Sequence, residues 1–130
     1  MLGTAERTHE IRLSVPADPS SLGIVRRAVQ GFEDVCGQDV TDRLAMIFSE
    51  LITNAIRHAG LSRRAKLEVV LEAGERGTCG RVVDPGHGFD PKTIAPGPLH
   101  EGGFGLRIVD RLATRWGVNR NGRTEVWFEL

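Results

Sequence analysis

The stretch KLEVVLEAGERGTCGRVVD, residues 66–84, sets the fold class. Lys66 to Glu72 and Thr78 to Asp84 read as two strands, each rich in Val and Leu or ending in a β-branched pair. The polar run Ala73 to Gly77 between them has hairpin length. Strands joined in this way are antiparallel neighbours, and the second ends on a carboxylate, Asp84.

Working outward toward the N-terminus, residues 40–59 carry Leu44, Ile47, Phe48, Leu51, Ile52 and Ala55 at helical spacing. Asp39 or Thr41 is placed to cap this helix and Gly60 to stop it. A second helix is expected over about residues 19–36, with Leu22, Val25, Ala28, Val29 and Phe32 on one face, started by Asp18-Pro19-Ser20 and ended by Gly37. Before it, Ile11, Leu13 and Val15 alternate with polar residues, a half-buried strand closed by Pro16.

Toward the C-terminus, Pro85 to Gly103 is one long Gly- and Pro-rich segment, the length of a functional loop or lid. Phe104 to Arg115 returns to helical period through Leu106, Ile108, Val109 and Leu112. Trp116–Asn119 and Arg123–Leu130 are two strands joined at Asn121-Gly122. The order β-α-α-β-β-lid-α-β-β implies an α+β fold of two layers: a mixed, largely antiparallel sheet with three helices on one face.

At 130 residues the chain has the length of one domain, and its 17 basic residues balance its 17 acidic ones. That balance gives no bulk attraction for nucleic acid or an acidic membrane, and no run is long enough to span a bilayer. The N-terminus lacks a signal-peptide core, so the cytoplasm is the expected location. Cys36 and Cys79 stand alone and form neither a CxxC nor a Cys/His cluster.

Three polar features stand out from this frame. In SELITNAIRHAG, residues 49–60, Glu50 and Asn54 lie one turn apart on a stripe flanked by apolar residues. Such a pair can serve a hard cation and a nucleophile side by side, and it is also what a solvated outer face looks like. His58 is suited to the negative end of the helix dipole. In VVDPGHGFD, residues 82–90, Asp84 precedes Gly86 and Gly88. A strand-end carboxylate there can accept from an exocyclic amine while bare backbone allows close approach, although Asp-Pro-Gly is also ordinary turn chemistry. In EGGFGL, residues 101–106, glycines open a helix. Neither GxGxxG nor GxxxxGK[ST] is satisfied, which excludes a Rossmann fingerprint and a P-loop.

Taken in order, SELITNA, DPGHG, GGFGL and the terminal GRTEVWFEL resemble the GHKL superfamily of ATPases and kinases, whose ATP-binding domain is the Bergerat fold. Glu50 and Asn54 match its N box, Asp84, Gly86 and Gly88 its DxGxG box, and Gly103 to Leu106 its GxGL box. The resemblance covers essentially the whole chain, as a single histidine-kinase-like ATP-binding domain over residues 1–130. The length leaves no room for the transducer domains of gyrase or MutL. The chain is therefore similar to the stand-alone bacterial anti-sigma-factor serine/threonine kinases.

The resemblance implies ATP and Mg²⁺ as cofactors, with Asn54 as metal ligand and Glu50 as the base that deprotonates the attacking serine. It implies that Asp84 accepts from the adenine amine, with Gly86 and Gly88 allowing approach and Thr124 nearby. It further implies that Gly103, Phe104, Gly105 and Leu106 present backbone N–H groups to phosphate at a helix start. The lid from Phe89 to His100 holds only Lys92 and His100 as cations, so Arg107 is a candidate for the γ-phosphate. Partners implied are a sigma factor and a small antagonist protein; members of the group commonly dimerise through the first strand and helix, where Leu13, Val15, Leu22 and Val25 could serve a homodimer or equally be core. The alternative is a nucleotide-dependent module that sequesters its partner without phosphoryl transfer.

Overall fold

A computed structural model describes residues 8–58, 65–84, 104–120 and 122–130. Five strands, β1 (His9–Pro16), β2 (Lys66–Gly74), β3 (Gly77–Asp84), β4 (Arg115–Arg120) and β5 (Thr124–Glu129), form one sheet in the order β1-β2-β3-β5-β4. All four pairings are antiparallel, so the largely antiparallel sheet expected from the sequence has no parallel pair among the described strands. The helices are α1 (Ser20–Gln30), α2 (Glu33–Cys36), α3 (Gln38–His58) and α4 (Phe104–Leu112).

One layer of helices packs on one face of the sheet. Leu67, Val69, Leu71 and Ala73 of β2 and Val82 of β3 turn inward with Val126 and Phe128 of β5. Leu44, Ile47, Phe48, Leu51, Ile52 and Ala55 of α3 meet them, and all are nearly inaccessible to solvent. Phe48 and Phe128 pack edge to face at 5.2 Å, directly over Gly80. A Cβ at Gly80 would fall 2.7 Å from the tips of both rings, which explains a glycine inside a strand. Val15 and Val25 belong to this same core, and Leu13 and Leu22 pack against it.

The opposite face carries ion pairs around the buried Val70 and Val83. Arg12 lies 3.7 Å from Glu68, Arg81 3.3 Å from Glu125, and Arg115 makes a two-pronged pair with Glu129. Exposed pairs of this kind add little stability but give the face good solvation.

Several boundaries differ from those the sequence suggests. The helix expected over 19–36 is broken: α1 ends at Gln30, and Gly31 and Phe32 turn the chain before α2. The Gly31 N–H reaches both Arg27 and Ala28 carbonyls at 3.2 Å, and Phe32 N–H bonds to Val29 at 2.9 Å. The last turn therefore tightens and swings Phe32 into the core. Asp18 does start α1, accepting from the Ser20 N–H at 2.9 Å.

α3 begins two residues earlier than expected, after Gly37 at φ 86°. Asp39 and Thr41 thus lie inside its first turn rather than capping it, and the Thr41 hydroxyl donates back to the Gln38 carbonyl at 2.9 Å. Gly60 lies outside the described residues.

The β2–β3 turn is only Glu75–Arg76, since Gly74 pairs with Gly77. At the other hairpin Arg120 pairs with Thr124, leaving a three-residue loop with Gly122 at φ 77° instead of a two-residue Asn-Gly turn.

Candidate functional site

Five polar residues are buried among the described residues: Ser21, Thr41, Asn54, Asp84 and Thr124. Burying a polar group is costly unless something compensates it, so each calls for a reason. Thr41 has one in its bond to Gln38. Asn54, Asp84 and Thr124 are three of the residues that the sequence motifs single out.

Their positions follow from two periodicities. On β3, Gly80, Val82 and Asp84 alternate inward, and on β5 so do Thr124, Val126 and Phe128. The register sets Asp84 directly opposite Thr124. Facing residues of an antiparallel pair have Cβ atoms about 4.5–5.5 Å apart, so carboxylate and hydroxyl stand side by side at one end of the sheet. Both are closed to solvent, at 2% and 1% exposure. Asp84 can only accept when ionised, whereas Thr124 can donate and accept. A ligand edge that offers an amine beside a ring nitrogen matches that pair.

Asn54 comes from the helix layer. It lies two residues past Ile52 and one before Ala55, both core residues, which draws the amide below the surface to 4% exposure. Its Nδ2 has no hydrogen-bond partner among the described residues. An amide donor left in that state costs about 1–3 kcal/mol. Glu50, one turn earlier on the same helix face, is half-buried, and Arg57 is exposed. The pair is thus neither a fully solvated outer face nor an internal ion pair.

α4 begins at Phe104, immediately after Gly103, and packs on α3 through Leu106 and Val109. Its first turn holds Phe104, Gly105, Leu106 and Arg107, whose backbone N–H groups are those that a helix start leaves without an internal partner. The Leu106 side chain is 6% exposed and part of the core, which anchors this turn from below. Arg107 is half-buried. At the far end the Trp116 indole donates to Asp110 at 2.9 Å and ties α4 to β4.

Gly86, Gly88 and Gly103 lie outside the described residues, as do Lys92 and His100, and so do the side chains of His58 and Phe104. No group of three or more His, Cys, Asp or Glu among the described residues is arranged to hold a metal ion. No described helix is long and apolar enough to cross a membrane.

A cavity of about 450 Å³ lies between the β2–β3 turn and the end of β5 and contains none of these residues. A second cavity of about 360 Å³ touches Thr124 and is lined by Arg120, Gly122 and Arg123. The sequence reading passed over Arg120. The alternation Trp116, Val118, Arg120, which carries it to the helix side of β4, is the signal that could have found it.

Both cysteines are free. Cys36 meets Thr78 at 3.8 Å on the helix side, while Cys79, the next residue, points to the ion-paired face. Burial, helped by Glu72 and Glu129 and opposed by Arg81, pushes the Cys79 thiol above its ordinary pKa.

Comparison with known proteins agrees with this architecture. The serine-protein kinase RsbW of Bacillus velezensis is 33% identical over 132 aligned positions, covering 89% of this chain and 81% of that one. The serine-protein kinase RsbW of Oceanobacillus iheyensis is 29% identical over 116, covering 78% and 73%. Among solved structures, that of the RsbU and RsbW domains of Rv1364c from Mycobacterium tuberculosis superposes with a TM-score of 0.70 over 93% of this chain. That match takes in 32% of the longer chain at 12% identity, and establishes the fold alone. A histidine kinase-like ATPase domain is matched over residues 15–130, from the end of β1 through β5, and the chain belongs to that family.

Proposed function

We propose that this protein binds ATP at the end of the sheet and transfers its γ-phosphate to a serine or threonine of a small antagonist protein, while also binding a sigma factor. The observation that carries the reading is the burial of Asn54, Asp84 and Thr124 beside a core made largely of Val, Leu, Ile, Phe and Ala. Relatives named serine-protein kinase support the choice of reaction.

In this reading Asp84 accepts from the adenine amine and Thr124 completes the base pocket. The first turn of α4 directs N–H groups at the polyphosphate, where the helix dipole favours an anion by about 0.3–2 kcal/mol. The buried amide of Asn54, with donor capacity left over, fits a site completed by Mg²⁺ and phosphate oxygens. When bound, the metal supplies charge neutralisation to the polyphosphate. Glu50 takes the proton from the attacking hydroxyl as the serine oxygen bonds to the γ-phosphorus. The bond to the bridging oxygen then breaks, and ADP leaves with that electron pair. Such a reaction asks mainly for positioning and charge compensation. Arg107 is the cation on α4 nearest its N-terminus and is assigned to the γ-phosphate.

A second reading, nucleotide-dependent sequestration without transfer, is favoured by one feature: between Phe89 and His100 the sequence offers Lys92 and His100 but no arginine. Transfer of labelled phosphate from ATP to an antagonist protein separates the two. Glu50→Gln is expected to keep the stabilisation by Mg-ATP and to lose at least a hundredfold in transfer rate, the scale of general-base catalysis. Transfer at the wild-type rate would remove Glu50 from the mechanism. ATP binding without any label on the antagonist would favour sequestration.

A further inference from the structure

The pairing register carries the row that holds Asp84 and Thr124 one strand further. Thr124 pairs with Asp84 on one side and with Arg120 on the other. Trp116 and Val118 of β4 pack against the core, so by alternation Arg120 is on the helix side, level with the other two. Strands are about 4.8 Å apart, which sets Arg120 about 10 Å from Asp84. The row thus reads acceptor, hydroxyl, guanidinium across β3, β5 and β4. Arg120 itself is exposed, and the cavity of about 360 Å³ that touches Thr124 is bounded by Arg120, Gly122 and Arg123. Its volume lies at the small end of ligand sites, which run to about 300–1,000 Å³.

We propose that Arg120 is a specificity-determining residue at the base end of the nucleotide pocket, holding the purine or its ribose rather than the phosphates. The inference rests on the ATP reading above and extends it. A purine seated on Asp84 and Thr124 lies between a carboxylate and a guanidinium. Arginine is a donor with no acceptor, so it complements ring nitrogens and ribose oxygens, and its plane can also lie over an aromatic ring. Its place in the base row, on a different element from Asn54 and from the first turn of α4, separates it from the groups assigned to the metal and phosphates. The hairpin keeps this placement because Gly122, at φ 77°, lets a three-residue loop close without displacing Arg120 from its pairing with Thr124.

The test is calorimetric titration of the full chain with adenosine, ADP and ATP, for wild type, Arg120→Ala, Arg120→Lys and Asp84→Asn. A base-end contact weakens all three ligands by the same factor in Arg120→Ala, about tenfold for a hydrogen bond to a charged group. Arg120→Lys keeps the charge without the planar fork and falls between wild type and Ala. Weakening of ATP and ADP with adenosine unaffected would overturn the proposal in favour of a phosphate contact, and unchanged affinity for all three would overturn it outright. Asp84→Asn reports separately on the parent reading. If it binds ATP as tightly as wild type, the base pocket itself is misassigned, whatever Arg120 does.

Discussion

A single amide decides how much of the nucleotide reading stands. Asn54 holds a buried donor with no partner among the described residues, in a helix face that would pack better with Leu or Ala. That arrangement is unfavourable unless a further group meets the amide, and in the proposed reading the ligand does so. Asn54→Ala is therefore expected to leave the free protein as stable as wild type or more so, while removing most of the stabilisation by Mg-ATP. In wild type that stabilisation is about 2.7 kcal/mol at a hundredfold excess over Kd. Melting curves with and without Mg-ATP check both halves, and a full ligand shift in the variant would exclude Asn54 from the site.

Cys79 supports a different prediction at the same scale. Burial, with Glu72 and Glu129, disfavours the thiolate, so alkylation by iodoacetamide at neutral pH should be slower than for a free cysteine and should rise only above the ordinary thiol range. Glu129→Gln removes one of the opposing carboxylates, lowers that pKa and speeds labelling at a given pH, as read by peptide mass spectrometry. Labelling no faster in the variant would mean that burial and Glu72, not Glu129, hold the thiol pKa up.

Among the elements, β3 shows best how the layers are registered. Gly80 lets Phe48 of α3 and Phe128 of β5 meet over bare backbone, and this fixes where α3 lies across the sheet. Gly80→Ala must displace one or both rings. A cost of about 1–3 kcal/mol is expected, seen as a lower urea midpoint with an unchanged slope. Because Asn54 lies on the same helix as Phe48, the variant should also weaken ATP beyond what its stability loss explains. An undiminished midpoint would show that the rings yield freely.

α3 was readable in advance because its apolar residues recur at a single period over many positions, and β3 because a hairpin-length polar run precedes its β-branched pair, so Asn54 and Asp84 could be named from the sequence. The break between α1 and α2 was not, because Gly31 interrupts a face whose periodicity continues through Phe32 on either reading. Thr41 was misjudged because a threonine near a helix start looks the same whether it caps or bonds backward within the first turn.

For the molecule as a whole, the fold class followed from two hairpins and the intervening helices, all of which are local signals. What the sequence withheld was the pairing of β3 with β5, which joins residues 40 positions or more apart with no local trace: Asp84 with Thr124, and Cys79 with Glu129. Thr124 could be suspected from a resemblance, but its adjacency to Asp84 and the alignment of Arg120 with both depend on that pairing. The inward face of β1, by contrast, followed directly from the alternation of Ile11, Leu13 and Val15.

The position of β5 in the sheet has a consequence for biosynthesis. It lies between β3 and β4, yet it is the final strand of the described chain. A nascent chain can form the β2–β3 hairpin and α3 early, but it cannot set Thr124 against Asp84 until residues up to 129 have left the ribosome. Until then the buried carboxylate of Asp84 has an open strand edge beside it. The protein thus emerges unable to bring Asp84 and Thr124 together, and does so in the same step that closes its sheet.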